Sequence, residues 1–187
     1  MNAVTDEDLI KRIAAGDSLA MKSFYARHHV RLYRFLMRIT RREATAEELM
    51  NDVLLEVWRK ADGYEGRSSV TTWMLSIAHH KAISQLRKRS EETLDDEESG
   101  AETPDDEDDP EVTLQKRNKS QVMRSCMEKL SVEHRTILDL VYYHDKSVAE
   151  ASEVLGIPEN TVKTRMFYAR KRLAELMREA GLDRGWP

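Results

Sequence analysis

Lys163, Arg165, Arg170, Lys171 and Arg172 crowd one stretch near the C-terminus, interleaved with Thr164, Phe167 and Tyr168. Cations along a helix suit phosphates, while hydroxyl and other groups near the start of a helix lying in a major groove reach base edges. The same stretch carries Val162, Met166, Ala169, Leu173 and Leu176 at steps of four and three, the stripe of a half-buried helix. Upstream, Ser147 is placed to cap a short helix ending near Leu155, and Gly156 supplies the positive φ of a tight turn. Pro158 fits the turn or the residue before the next helix, which Asn160 or Thr161 can cap. Ser152, four residues before Gly156, is small enough to let the two helices approach. Small residue, glycine, proline, cap and basic outer face fall in register as a helix-turn-helix, which points to duplex DNA; an ordinary helical hairpin with a solvated basic face is the simpler alternative.

Other chemistry has little support. There is no phosphate-binding glycine loop, no G-x-S-x-G and no nucleophile–base pair. His28–His29 and His79–His80 are adjacent pairs, whose side chains diverge by about 100° on a helix, whereas helical metal sites favour i, i+4 spacing. No metal and no cofactor is expected, and one histidine of each pair is expected half-buried. The single cysteine, Cys126, excludes an internal disulfide and a cysteine-based zinc cluster, and its apolar neighbours make it a buried thiol. "MNAVTDEDLI" has neither a basic n-region nor an apolar h-region, and no apolar run approaches the ~18 residues of a membrane span. A cytoplasmic protein with no membrane insertion of its own is expected.

The net charge of −4 over 187 residues averages two unlike regions. Glu91 to Glu111 holds 13 acids and no base, so the remainder carries 21 acids against 30 bases. A basic body fits polyanionic partners. The acidic run, with two prolines and almost no apolar residue, cannot bury enough surface to offset its ordering entropy and is read as a disordered linker.

The elements that must position these residues are helical throughout. Thr5 and Asp8 form an N-cap pair before Leu9, Ile10 and Ile13. A second helix after Gly16 carries Met21, Phe24, Tyr25, His28, Leu32, Phe35, Leu36 and Ile39 on one stripe. Thr45 and Glu48 have capping-box spacing and open a third, with Leu49, Met50, Val53, Leu54, Val57 and Trp58 inward. A loop spans Asp62 to Ser69, and a fourth helix runs from about Val70 to Arg89 with Trp73, Met74, Ile77 and Leu86 apolar. Periodicity returns from about Leu114, with Val122, Cys126, Met127 and Leu130, then Ile137, Leu138, Leu140 and Val141. The expected fold is all-α: two small helical domains, residues 1–89 and 114–187, joined by an acidic linker at 90–113.

With these features together, the chain resembles the extracytoplasmic-function (ECF) sigma factors of bacterial RNA polymerase, in the sigma-70 family. "AEELMNDVLLEVWRKADGYEGRSSVTTWMLSIAHHKAISQLRKR" is similar to region 2, and "LSVEHRTILDLVYYHDKSVAEASEVLGIPENTVKTRMFYARKRLAEL" to region 4. The resemblance implies that Glu47, Glu48, Asn51, Asp52 and Glu56 dock on core RNA polymerase. It implies that Tyr64, Arg67, Ser68 and Ser69 shape a pocket for a flipped base of the −10 element, with His80, Lys81, Arg87, Lys88 and Arg89 along the strand. It assigns Arg135, Lys163, Thr164, Arg165, Phe167, Tyr168, Arg170 and Lys171 to the −35 element. Promoter DNA, core polymerase and an anti-sigma factor are the implied partners. The sequence departs from the family pattern in "IAHH", with His80 where asparagine is common and Ser84 where aspartate often follows. "LSVEHR" lacks the usual proline, and Tyr168 stands where arginine is frequent.

A free-standing helix-turn-helix regulator, an enzyme and an adaptor are the competing readings. The regulator would bind its site without polymerase and lacks a matching sensory or dimerisation segment; the enzyme lacks a motif. The tether is long enough for the sigma reading. Its 24 residues, Ser90 to Thr113, have a contour of ~80 Å, against roughly 55–60 Å between two DNA elements about 17 base pairs apart. The acidic run offers a second role, folding back on the basic faces to suppress stray DNA binding. In that case replacing its acids with Gly/Ser raises salt-sensitive affinity for nonspecific duplex, measured by anisotropy; unchanged affinity rules the role out.

Overall fold

The computed structural model describes residues 4–92 and 114–181. All regular structure among them is helical: α1 Asp6–Ala14, α2 Ser18–Thr40, α3 Glu43–Lys60, a 3-10 turn at Ala61–Gly63, α4 Val70–Glu92, α5 Leu114–Glu128, α6 Val132–Tyr142, α7 Val148–Leu155 and α8 Glu159–Glu179. They fall into two compact units, consistent with the expected two helical domains. The expected linker lies outside the described residues except at its start, where α4 continues past Arg89 through Glu92.

In the first unit, Thr5 and Asp8 form the expected capping box on α1. Asp17 then starts α2: its Oδ1 accepts from the backbone N–H of Leu19 at 2.9 Å and of Ala20 at 3.1 Å, while Oδ2 holds Arg12 at 2.7 Å. The Arg12 contact and then these amides hold the Asp17 carboxyl below the usual carboxylate range. Arg41 ends α2 in the left-handed region, φ 57°, donating its N–H to Met37 O. That turn lets α3 begin at once, at Glu43, with Arg42 as an N-cap that makes no side-chain bond. Thr45 therefore lies inside the first turn and does not open the helix, contrary to the capping-box spacing.

Helix α2 packs against α1, α3 and α4. Phe24, Leu32, Phe35 and Leu36 are fully buried beside Leu9, Ile10 and Ile13 of α1. Leu49, Met50, Val53, Leu54 and Val57 line α3 inward as expected, with Trp58 half-buried. Two expectations shift. Tyr25 is 42% exposed and stacks on His29, ring centroids 4.7 Å apart, while Ala20 is the buried position. On α4 the buried stripe is Val70, Met74, Ala78 and Ala82 with Leu75, whereas Trp73, Ile77 and Leu86 are half-buried. Hydropathy favours the large side chains, but close helix approach is made by the small ones.

In the second unit, α5 and α6 both pack on α8. Cys126, Leu130, Ile137, Leu138 and Leu140 are buried with Val162, Ala169, Leu173 and Leu176. Ser131 caps α6, its Oγ accepting from His134 N–H at 3.2 Å.

His28 and His79 are the more buried members of their pairs. His28 lies against the Phe24 ring with Nε2 3.1 Å from Asp6 Oδ2. Burial lowers its pKa from the ordinary 6.5, outweighing the opposing pull of Asp6. The unfolded chain thus binds the proton more readily, so stability declines as pH falls below 6.5 and levels off below the folded value. Denaturant unfolding at about pH 7.5 and about pH 5.5 is expected to show lower stability in acid, with a smaller difference for His28→Asn. An unchanged difference assigns the effect to other groups.

Candidate nucleic-acid interface

The turn between α7 and α8 is built as the sequence indicates. Ser147 and Glu150 form a capping box on α7: the Ser147 hydroxyl accepts from Glu150 N–H at 3.2 Å and Glu150 Oε2 accepts from Ser147 N–H at 3.0 Å. Gly156 takes φ 65°. Ser152 does more than leave room. Its hydroxyl donates to Ile157 O at 2.5 Å and its carbonyl accepts from Ile157 N–H at 3.2 Å, so one small residue closes the turn twice. Pro158 is the N-cap of α8 and makes no side-chain cap bond, so neither Asn160 nor Thr161 holds that place. Instead Asn160 O accepts from the Thr164 hydroxyl at 3.0 Å.

The apolar stripe of α8 is buried, and Lys163, Thr164, Phe167, Tyr168, Arg170 and Lys171 are exposed, with Arg165 half-buried. Phe167 is 64% and Tyr168 54% exposed. Such exposure of two aromatic rings beside cations suits a groove ligand. Arg170 lies over the Tyr142 ring, 5.5 Å from its centroid.

Arg135 does not belong to this face. It is 4% exposed, and its guanidinium donates to Leu130 O at 3.1 Å and Glu128 O at 3.5 Å, just past and at the end of α5. Carbonyls left over at a helix C-terminus need donors, and the buried arginine supplies them. Periodicity places a cation in that helix but not the neighbour its side chain turns toward.

In the first unit, the loop before α4 is organised around Tyr64. Its hydroxyl donates to Ser68 O at 2.5 Å and its ring lies 5.2 Å from that of Trp73. Ser69 is spent locally: its Oγ accepts from Thr72 N–H at 3.2 Å and sits 2.8 Å from the Thr72 hydroxyl, capping α4. The expected pocket role for Ser69 gives way to this cap. Arg67 is 84% exposed and pairs with Glu65, itself 63% exposed, a contact that screening weakens. His80 is exposed, with Nδ1 2.8 Å from Ser76 O. Arg87 and Lys88 are exposed and Arg89 half-buried. Arg87 lies about 27 Å along α4 from Ser69 at the helical rise, well away from the loop itself.

On α3, Glu47, Glu48, Asn51 and Asp52 are exposed. Leu55, 46% exposed, completes a stripe with Glu48, Asn51 and Asp52 at steps of three and four. Leu55 is not among the residues expected on this face, although its place beside Asn51 and Asp52 on the helical wheel carries the signal. Glu56 falls on the flank and is held by Lys60 at 2.7 Å and Lys81 at 2.8 Å, so the structure pairs one expected polymerase contact with one expected DNA contact. Among the described residues no helix is long and apolar enough to cross a membrane.

Residues 24–92 match the Sigma-70 region 2 family and residues 120–173 match the Sigma-70 region 4 family. The chain is 28% identical over 162 residues to the ECF RNA polymerase sigma factor SigK of Mycolicibacterium vanbaalenii, covering 84% of this chain and 82% of that protein. It is also 28% identical over 173 residues to the ECF sigma factor SigL of Mycobacterium tuberculosis, covering 91% and 96%. The sigma factor RpoE of Bartonella quintana, solved with the anti-sigma factor NepR, superposes with a TM-score of 0.69 at 27% identity, covering 87% of this chain and 98% of that one. Helix-turn-helix, acidic-faced α3 and the aromatic loop before α4 thus sit in a known frame, that of transcription initiation factors. The chain belongs to the sigma-70 family, as a sigma factor of the ECF type.

Arg135 and Lys171 separate structure from binding. Arg135→Ala is expected to cost about 2 kcal/mol in denaturant unfolding, since it strands buried carbonyls. Lys171→Ala is expected to stay within about 0.5 kcal/mol of the parent while weakening duplex binding and its salt dependence.

Proposed function

We propose that this sigma factor docks on core RNA polymerase through α3, directs the enzyme to a two-element promoter and promotes opening of the duplex. Glu48, Asn51, Asp52 and Leu55, flanked by Glu47, offer a carboxylate-rich stripe with an apolar centre, complementary to a basic helical partner. Tyr64, Arg67 and Ser68 engage an unstacked base of the −10 element, and His80, Lys81 and Arg87 to Arg89 its backbone. Stacking and cationic contacts to a single strand offset the few kcal/mol that extruding a base requires. Lys163, Thr164, Arg165, Phe167, Tyr168, Arg170 and Lys171 read the −35 element, bases near the start of α8 and phosphates further along.

The observation that carries the reading is the order of the two family matches in one chain, each with its charged helix face exposed. Residues 1–89 and 114–187 act as the two DNA-reading domains, with 90–113 as the tether. The pairing of RpoE with NepR supports control of this chain by an anti-sigma factor as well, and we propose with it a role in a stress or environmental response in the cytoplasm.

Purified chain is expected to bind bacterial core polymerase, and charge reversal of Glu48 and Asp52 to weaken that binding by about tenfold or more. Transcripts mapped from the reconstituted holoenzyme on genomic DNA then give the promoter. A folded chain that binds duplex specifically but ignores core polymerase is a free-standing regulator instead.

A further inference from the structure

Glu56 has both carboxylate oxygens committed. Oε2 accepts from Lys81 Nζ at 2.8 Å, across from α3 to α4, and Oε1 from Lys60 Nζ at 2.7 Å, one turn along α3. The Glu56 side chain is 24% exposed and that of Lys81 30%, while Lys60 is 64% exposed. Hydrogen bonds from Lys60 and then Lys81 hold the Glu56 carboxyl below the usual range, so it stays ionised near neutrality. A carboxylate so engaged has little to offer a basic partner helix, and drawing it away would leave two ammonium groups without their counter-charge.

We infer that Glu56 serves promoter DNA and not polymerase: it is a positioning residue that holds Lys81 at the α3–α4 seam, where Lys60 and Lys81 together take a backbone phosphate. Two ammonium groups on one carboxylate leave a net positive charge, so the bridge does not cancel the attraction for a phosphate. Each ammonium carries three donors, and the bonds to Glu56 leave others for a ligand. A lysine stem loses considerable rotamer freedom when it binds; here the bridge has already restricted Lys81 in the folded protein. Lys60, which no motif singles out, becomes a DNA contact. The inference rests on the sigma reading above and deepens its −10 site.

The test uses holoenzyme reconstituted from the full chain, with a fork-junction promoter whose non-template −10 strand is single, its sequence taken from the mapped transcripts. Glu56→Gln is expected to bind core polymerase within about twofold of the parent. It is expected to weaken fork binding by about threefold to tenfold, and to add little to Lys81→Met, because it acts through that residue. Lys60→Met and Lys81→Met are each expected to lower the slope of log affinity against log salt by ~0.7–0.9, one phosphate contact. Thermal unfolding of each variant checks the fold, and Lys60→Met, at the exposed end of the bridge, keeps the test open if Glu56→Gln does not fold. A core affinity lowered about tenfold by Glu56→Gln returns that residue to the polymerase face. Tighter fork binding by Glu56→Gln makes the bridge a mask, and unchanged salt slopes in both lysine variants remove the phosphate site; each overturns the inference. A parent chain that does not bind core polymerase fails the sigma reading itself.

Discussion

Val162, Met166, Ala169, Leu173 and Leu176 seat α8 against α5 and α6, and every exposed side chain of that helix takes its direction from this seam. A helix that buries one stripe has no freedom to rotate, so Lys163, Phe167 and Lys171 face outward by necessity. The turn before it is equally constrained: Gly156 is left-handed and Ser152 bonds both backbone groups of Ile157. The buried Arg135 extends the same logic, tying the end of α5 to the start of α6. The exposed face of α8 is oriented by the core behind it.

The first unit follows a similar rule with different chemistry. Helix α3 buries Val53, Leu54 and Val57 and leaves a carboxylate stripe bare, and α4, with Ala78 and Ala82 buried, packs against it. Across that contact Lys81 meets Glu56. Ion pairs between highly exposed groups, such as Glu65 with Arg67, add little. The half-buried Glu56 bridge has a defined geometry and links two surfaces that the sequence presents as separate.

Acid and base are partitioned along the chain so that each face can meet a different partner. The acidic stripe on α3 suits a basic protein helix, and the basic faces of α4 and α8 suit DNA. The net charge of −4 hides this, since the 13 acids of residues 91–111 more than offset the excess of 30 bases over 21 acids in the body.

Fold class, helix order and the helix-turn-helix were legible in the sequence, because 3.6-residue periodicity, Gly156, Pro158 and the Thr5–Asp8 and Ser147 caps are local signals. Local signals misled where a neighbouring turn set the boundary: Thr45 lost its capping role to the left-handed Arg41, and Asn160 and Thr161 lost theirs to Pro158. Side-chain partners across helices were not legible at all. Whether Arg135 meets solvent or the carbonyls after α5, whether Ser69 lines a loop or caps α4, and whether Glu56 meets a partner or Lys81 depend on distances between residues far apart in sequence or on the path of one turn. Composition and spacing determine which faces are charged; only the packing of helix on helix decides which of those charges remain available.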